Sequence, residues 1–402
     1  MTAIFKDGLH DQLGTWPLGY IPYGGADYGE VEAIARVVGD GDDTDFHDAW
    51  TAAADRIRED GERAEGKGHQ ASARESYLRA ACFYGKSFHP LVGQPIDPRV
   101  IAGSQNQIAA FERGLALSEV AVAPRHIPFE GNALLAYVIP AQGRAAEIRP
   151  LIIFNNGYDG TITDMFFGSA VAASRRGYHA LIFDGPGQGT TLIEHGVTLR
   201  PDWETVMAAV VDFAQALPNV DPHKIALCGW SLGGYLAPRA ASGEHRIAAC
   251  VADPALPSVA DGFRAYVMRL GASRDEAANL GDLPTELLER LAQIVANDRK
   301  LCWSVTKRGY WMNGTATLRE YLASVEHYTM NGRIEDIRCP TLFTLAENDP
   351  LAAGAQRFYD ALRCPKTLIR FSSDEGAGEH CEMRNRSLAN RRMLDWMDEV
   401  LG

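Results

Sequence analysis

The segment KIALCGWSLGGYLAPRAA, Lys224 to Ala241, centres a serine in the pattern Gly-Trp-Ser-Leu-Gly, Gly229 to Gly233. The apolar run Ile225 to Cys228 reads as a strand before it, and a helical pattern begins near Leu232. A sharp strand-to-helix turn exposes a serine hydroxyl, but it strains the serine backbone and admits only small residues two places before and after. Gly229 and Gly233 fill those places, so Ser231 is the expected nucleophile. A serine hydroxyl becomes reactive when a histidine takes its proton and a carboxylate fixes that histidine, in the chain order serine, acid, histidine on this kind of turn. His380 lies in the Gly-rich loop SSDEGAGEHCEM, between an apolar strand and the last helical pattern, and is the expected base. Asp349, in the loop ending the strand of TLFTLAENDPL, is the expected acid, with Glu347 in reserve.

Acyl chemistry also needs two backbone N–H groups aimed at the developing negative charge. Leu232, directly after the serine, is one expected donor; Tyr158, after the strand LIIFNNG, is the other, through its main chain. Asp159, Trp230, Trp303, Tyr310 and Trp311 are the candidate lining of the substrate pocket, although ordinary packing accounts equally well for the aromatic ones. The Gly-rich turn DGPGQG, Asp184 to Gly189, lacks the spacing of a dinucleotide or phosphate loop and reads as the turn after a core strand. No HExxH or tight His/Cys cluster is present, so neither a metal nor a cofactor is expected.

These residues need elements to hold them. Residues 1–120 read as helical: ASARESYLRAACFYGKSF and SQNQIAAFERGLALS carry apolar residues at helical spacing. From about residue 121 strand patterns alternate with helical ones, which implies a mostly parallel, doubly wound sheet. Residues 256–336 interrupt that rhythm with a helical, aromatic-rich insertion, and the core resumes over 337–402. Such an insertion reads as a cap over the carboxyl edge of the sheet, where open α/β sheets bind ligands. Pro238 falls about two turns into the helix after Ser231 and is expected to kink it.

The formal charge of −13 argues against a nucleic-acid partner, since phosphate binding needs concentrated Lys and Arg. No apolar run reaches about 18 residues, and the first residues, MTAIFKDGLHDQLG, lack the pattern of a secretory signal, so neither a membrane partner nor export is expected. Seven scattered cysteines without CxxC spacing read as reduced thiols of a cytoplasmic protein, and a homodimer is left open.

Taken with SARESYLRAACFY, FDGPGQG, GWSLGGY, ENDPL and GEHCEM, the chain resembles the α/β-hydrolases, in the branch of 2,6-dihydroxypseudooxynicotine hydrolase and the fungal polyketide-shortening hydrolases. The resemblance spans most of the chain. It departs from many relatives at Asn155 and Asn156, which precede Gly157 where another pair is usual. It implies an α/β-hydrolase fold with an N-terminal helical segment and a helical cap, Ser231, Asp349 and His380 as triad, and a pocket between core and helical segments. Branch members cleave carbon–carbon bonds next to carbonyls in aromatic or polyketide compounds, while neighbours act on esters. The expected function is hydrolysis of an acyl bond in a small carbonyl-bearing substrate through an acyl-enzyme. A general carboxylesterase or peptidase is the first alternative; an acyltransferase, a cyclase or a silent binding protein on the same fold is the second.

Overall fold

The computed structural model describes residues 3–402. Eight strands form one sheet: β1 (Arg125–Phe129), β2 (Asn132–Ile139), β3 (Arg149–Asn155), β4 (His179–Phe183), β5 (Val220–Trp230), β6 (Ala249–Asp253), β7 (Thr341–Ala346) and β8 (Lys366–Phe371). Their spatial order is β1-β2-β4-β3-β5-β6-β7-β8. The pairings of β1 with β2 and β2 with β4 are antiparallel, and every pairing from β3 to β8 is parallel. The central strands β4 and β6 are buried along their whole length, which matches their continuous apolar sequences and a sheet covered on both faces. The VAVA run at 120–123 lies outside the sheet: β1 starts only at Arg125, after Pro124, which has no N–H to give a ladder.

The N-terminal helices do not form a separate core. Phe46, Trp50, Phe83 and Phe111 belong to the same apolar cluster as β2 to β7, with Phe111 edge-on to Tyr137 of β2 at 5.1 Å. Residues 260–325 differ, because Val267, Leu280, Leu291, Tyr321, Leu322 and Val325 enclose an apolar cluster of their own. Trp303, Trp311 and Met312 lie on the inner side of this insertion and join the main core.

Pro238 sits inside the helix Gly233–Gly243. Lacking an N–H, it leaves the carbonyl of Gly234 free of its helical partner, and the N–H of Leu256 donates to that oxygen instead (3.4 Å). The proline therefore allows the helix to be stitched to the segment after β6. Gly234 is required there, since a Cβ would overlap the carbonyl of Pro254.

Candidate active site

The turn between β5 and the helix Gly233–Gly243 holds Ser231 at φ 59°, a left-handed conformation costly for a residue with a Cβ. It is imposed from both sides. The N–H of Ser231 donates to the carbonyl of Asp253 at the end of β6 (2.7 Å), and a Cβ on Gly229 would overlap the backbone of Gly233. The Ser231 hydroxyl lies 3.0 Å from His380 Nε2, and His380 Nδ1 lies 2.7 Å from Asp349 Oδ2. The structure thus brings together three residues 31 and 149 positions apart in sequence.

Asp349 is sealed in, with 1 % of its side chain accessible, whereas His380 keeps 31 % although it lies deep in the fold. The imidazole therefore keeps an accessible edge while its acid partner is shielded from water. Asp349 also accepts from the N–H of Leu351 (2.9 Å), so capping the following turn and orienting the histidine are done by one carboxylate. Glu347 is turned elsewhere, accepting from the N–H of Ser373 (2.8 Å). Burial alone would depress the His380 pKa; the hydrogen bond and charge of Asp349, followed by the charges of Asp253 and Asp159, outweigh it and hold the pKa above the ordinary imidazole value.

Neither Leu232 nor Tyr158 gives its main-chain N–H to another group of the described residues. The loop carrying Tyr158 runs against the serine, since a Cβ on Gly157 would stand 2.8 Å from Ser231 Cβ and 3.0 Å from the carbonyl of Trp230. Gln188, within the DGPGQG turn after β4, fixes this loop by donating Nε2 to the carbonyls of both Asn156 and Gly157 (2.9 Å each). Asn155 is held in turn by Trp203 Nε1 (2.6 Å). The turn thus supports the loop as well as ending a strand, a role its sequence does not announce.

Of the expected pocket residues, Asp159 follows Tyr158 directly, and its carbonyl lies 3.0 Å from His89 Nε2 of the N-terminal segment. Trp230 is buried beside the serine. Trp303 donates Nε1 to the carbonyl of His89 (3.0 Å), joining the cap to the N-terminal segment, and Trp311 is buried in the main core. Tyr310 packs on Tyr321 at 5.9 Å within the cap's own cluster, because successive residues of a helix face different sides and Trp311 takes the inner one.

Three further contributors were not foreseen. Trp16, in the short helical turn Trp16–Tyr23, lies parallel to Trp230 at 6.2 Å and 6.2 Å from the His380 ring. Lys86 reaches over the Trp16 ring (5.6 Å) and pairs with Asp164 (2.8 Å), both being buried. Arg308 of the cap lies over the rings of Tyr158 and Trp303. Nothing local in the sequence separates these residues from ordinary surface or packing positions.

Beneath the histidine, Cys381 (φ 54°) and Glu382 (φ 47°) are both left-handed. Arg386, fully buried, holds this turn: it donates Nη1 to the Cys381 carbonyl (2.9 Å) and to Asp253 Oδ2 (2.6 Å), and Nε to the carbonyl of Gly168 (3.1 Å). Its guanidinium also stacks over Trp230 at 4.7 Å. Burial, followed by the Asp253 charge, pushes the Glu382 carboxyl well above the usual carboxylate range.

Residues 156–385 match the model of the alpha/beta hydrolase family. The hydrolase acrC of Aspergillus aculeatus is 32 % identical, covering 94 % of this chain and 93 % of its own. The 20-hydroxy-prefusarin hydrolase FUS2 of Gibberella moniliformis is 29 % identical over 95 % of this chain and 94 % of its own. Among solved structures, 2,6-dihydroxy-pseudo-oxynicotine hydrolase superposes with a TM-score of 0.74 at 21 % identity, covering 95 % of each chain.

Proposed function

Because the chain belongs to the alpha/beta hydrolase family and is a hydrolase, we propose that it is a serine hydrolase cleaving an acyl bond of a small carbonyl compound, with a carbon–carbon bond favoured over an ester. The observation that carries this reading is the continuous contact from Ser231 Oγ to His380 to Asp349 beside two unengaged main-chain N–H groups.

In this mechanism Ser231 Oγ attacks the substrate carbonyl and its proton passes to His380 Nε2. The carbonyl oxygen, now anionic, is stabilised by the N–H groups of Leu232 and Tyr158. Collapse breaks the bond to the leaving group. For a carbon leaving group the electron pair becomes an enolate, which requires a second carbonyl one carbon away, and His380 returns its proton there. Water, deprotonated by His380, then attacks the acyl-enzyme; the second collapse releases the carboxylic acid and restores Ser231. A fluorophosphonate is expected to add once, at the peptide containing Ser231, as read by mass spectrometry. Folded protein that stays unlabelled overturns the reading.

The base must be neutral to accept the proton, so activity is lost as pH falls through its pKa. With the His380 pKa raised, the acid limb of kcat/KM is expected above 6.5, the ordinary imidazole value, and Asp349→Asn is expected to move it downward. A limb that does not respond to Asp349→Asn would show that another group titrates.

A further inference from the structure

Arg308 has more hydrogen-bonding capacity than the protein uses. A guanidinium carries five N–H donors. In this one, Nη1 donates to Asp159 Oδ1 (3.0 Å), Nε is enclosed without any partner, and Nη2 donates to no group of the described residues. The plane is held at 4.7 Å from the Tyr158 ring and 4.9 Å from the Trp303 ring, with 21 % of the side chain still accessible. Since Nη2 is neither bonded nor among the enclosed atoms, the accessible part includes it. Asp159 is the one acceptor that the described residues give this guanidinium, which leaves Nη2–H open to a ligand.

The position of this side chain indicates the acceptor. Gly157, next to Tyr158, borders Ser231, the Tyr158 ring lies under Arg308, and the charge of Asp159, to which Arg308 is bonded, is felt at His380, so the guanidinium belongs to the surroundings of the same site. Asp159 engages a single nitrogen and fixes the plane without covering its other edge. Aromatic faces beside it exclude water and lower the local dielectric, which strengthens any charge-assisted hydrogen bond made there.

We propose that Arg308 is the specificity-determining residue that receives the enolate oxygen of the leaving group, so that the substrates are 1,3-dicarbonyl compounds cleaved between the two carbonyls. This rests on the serine mechanism proposed above. As the carbon–carbon bond breaks, its electron pair delocalises onto the second carbonyl oxygen. Arg308 donates Nη2–H to that oxygen, and His380 then delivers to the carbon the proton taken from Ser231. An ester's alkoxide leaves no charge at that place, so Arg308 favours carbon–carbon cleavage specifically.

The test uses two probes on the full chain: an aryl trifluoromethyl 1,3-diketone, which is ionised at pH 8 and mimics the enolate, and the matching neutral aryl mono-ketone. Calorimetry is expected to give a Kd at least about tenfold lower for the diketone, the scale of one charge-assisted hydrogen bond. In Arg308→Met that preference is expected to collapse to within about twofold, and Arg308→Lys, which keeps the charge but loses the planar fork, to retain part of it. Because Arg308→Lys preserves the cation, it serves as the folded comparison if the methionine variant is unstable. Equal affinity of the wild type for both probes overturns the proposal. So does an equal loss for both probes in Arg308→Met, which would make the arginine only a pin between the cap and the Tyr158 loop. Fluorophosphonate labelling, read separately, reports on Ser231 alone: labelling without diketone preference defeats this inference and leaves the serine mechanism standing, while diketone preference without labelling does the reverse.

Discussion

Replacing Ser231 by alanine is expected to lower kcat by about 10^5- to 10^6-fold, with KM changed only a few-fold, because residues that act as one unit lose nearly all their effect with the first deletion. The geometry offers no substitute nucleophile of comparable reactivity. Cys381 Sγ comes within 3.5 Å of His380 Nε2, but burial, followed by the charges of Asp253 and Asp349, pushes its thiol well above the ordinary value and keeps it protonated. What remains in Ser231→Ala is binding and the two N–H groups, which still polarise the carbonyl toward water. Steady-state rates on a cleaved substrate, with active-site titration of the wild type, measure the ratio. More than about one-tenth of wild-type kcat would end the serine mechanism, since no positioning effect retains that much of a covalent route.

Arg386→Met is expected to destabilise the protein by about 3–5 kcal/mol, read from the shift in urea midpoint. Arg386 and Asp253 are both fully buried and paired at 2.6 Å, and the arginine also satisfies the carbonyls of Gly168 and Cys381. Deleting it strands the Asp253 charge, for which Thr344 Oγ1 (2.9 Å) is the remaining side-chain donor. The double change Asp253→Asn with Arg386→Met removes the stranded charge and is expected to recover a large part of the loss, as buried pairs cost most when only one partner goes. The same deletion frees the left-handed turn at Cys381 and Glu382 that carries His380, so the surviving folded fraction is expected to be slow as well as unstable. A midpoint shift equivalent to less than about 1 kcal/mol would show that the pair is not a stabilising clamp.

The reading of Ser231, Asp349 and His380 depended on features that local chemistry forces into the sequence. A serine at positive φ between a strand and a helix requires glycine at 229 and 233, because a Cβ on either would collide with nearby backbone. The alternation of strand and helix patterns likewise reflects which faces each segment must bury, and it made the parallel part of the sheet legible from Arg149 onward. Asp349 was separable from Glu347 only by its place in the loop, and what distinguishes them in the fold is that the tip of β8's loop donates to Glu347 while His380 faces Asp349.

The remaining parts of the site come from pairings over long separations, for which a single sequence carries no signal. Trp16 meets Trp230, Arg308 meets Asp159, and Arg386 meets Asp253 across 133 positions. Each is an arginine or tryptophan of a kind that occurs throughout the chain, and its partner is decided by how helices dock on the sheet, not by spacing. Pro238 illustrates the same limit: by itself it predicts a kink, but only the approach of Leu256 to the free Gly234 carbonyl gives the missing N–H a counterpart. The sequence by itself therefore determined the fold class and the reactive turn, because backbone strain and face-by-face burial act on neighbouring residues. The surroundings of that turn, and with them what the site can select, were decided by tertiary packing, because desolvated ion pairs and stacked rings exist only once distant segments meet.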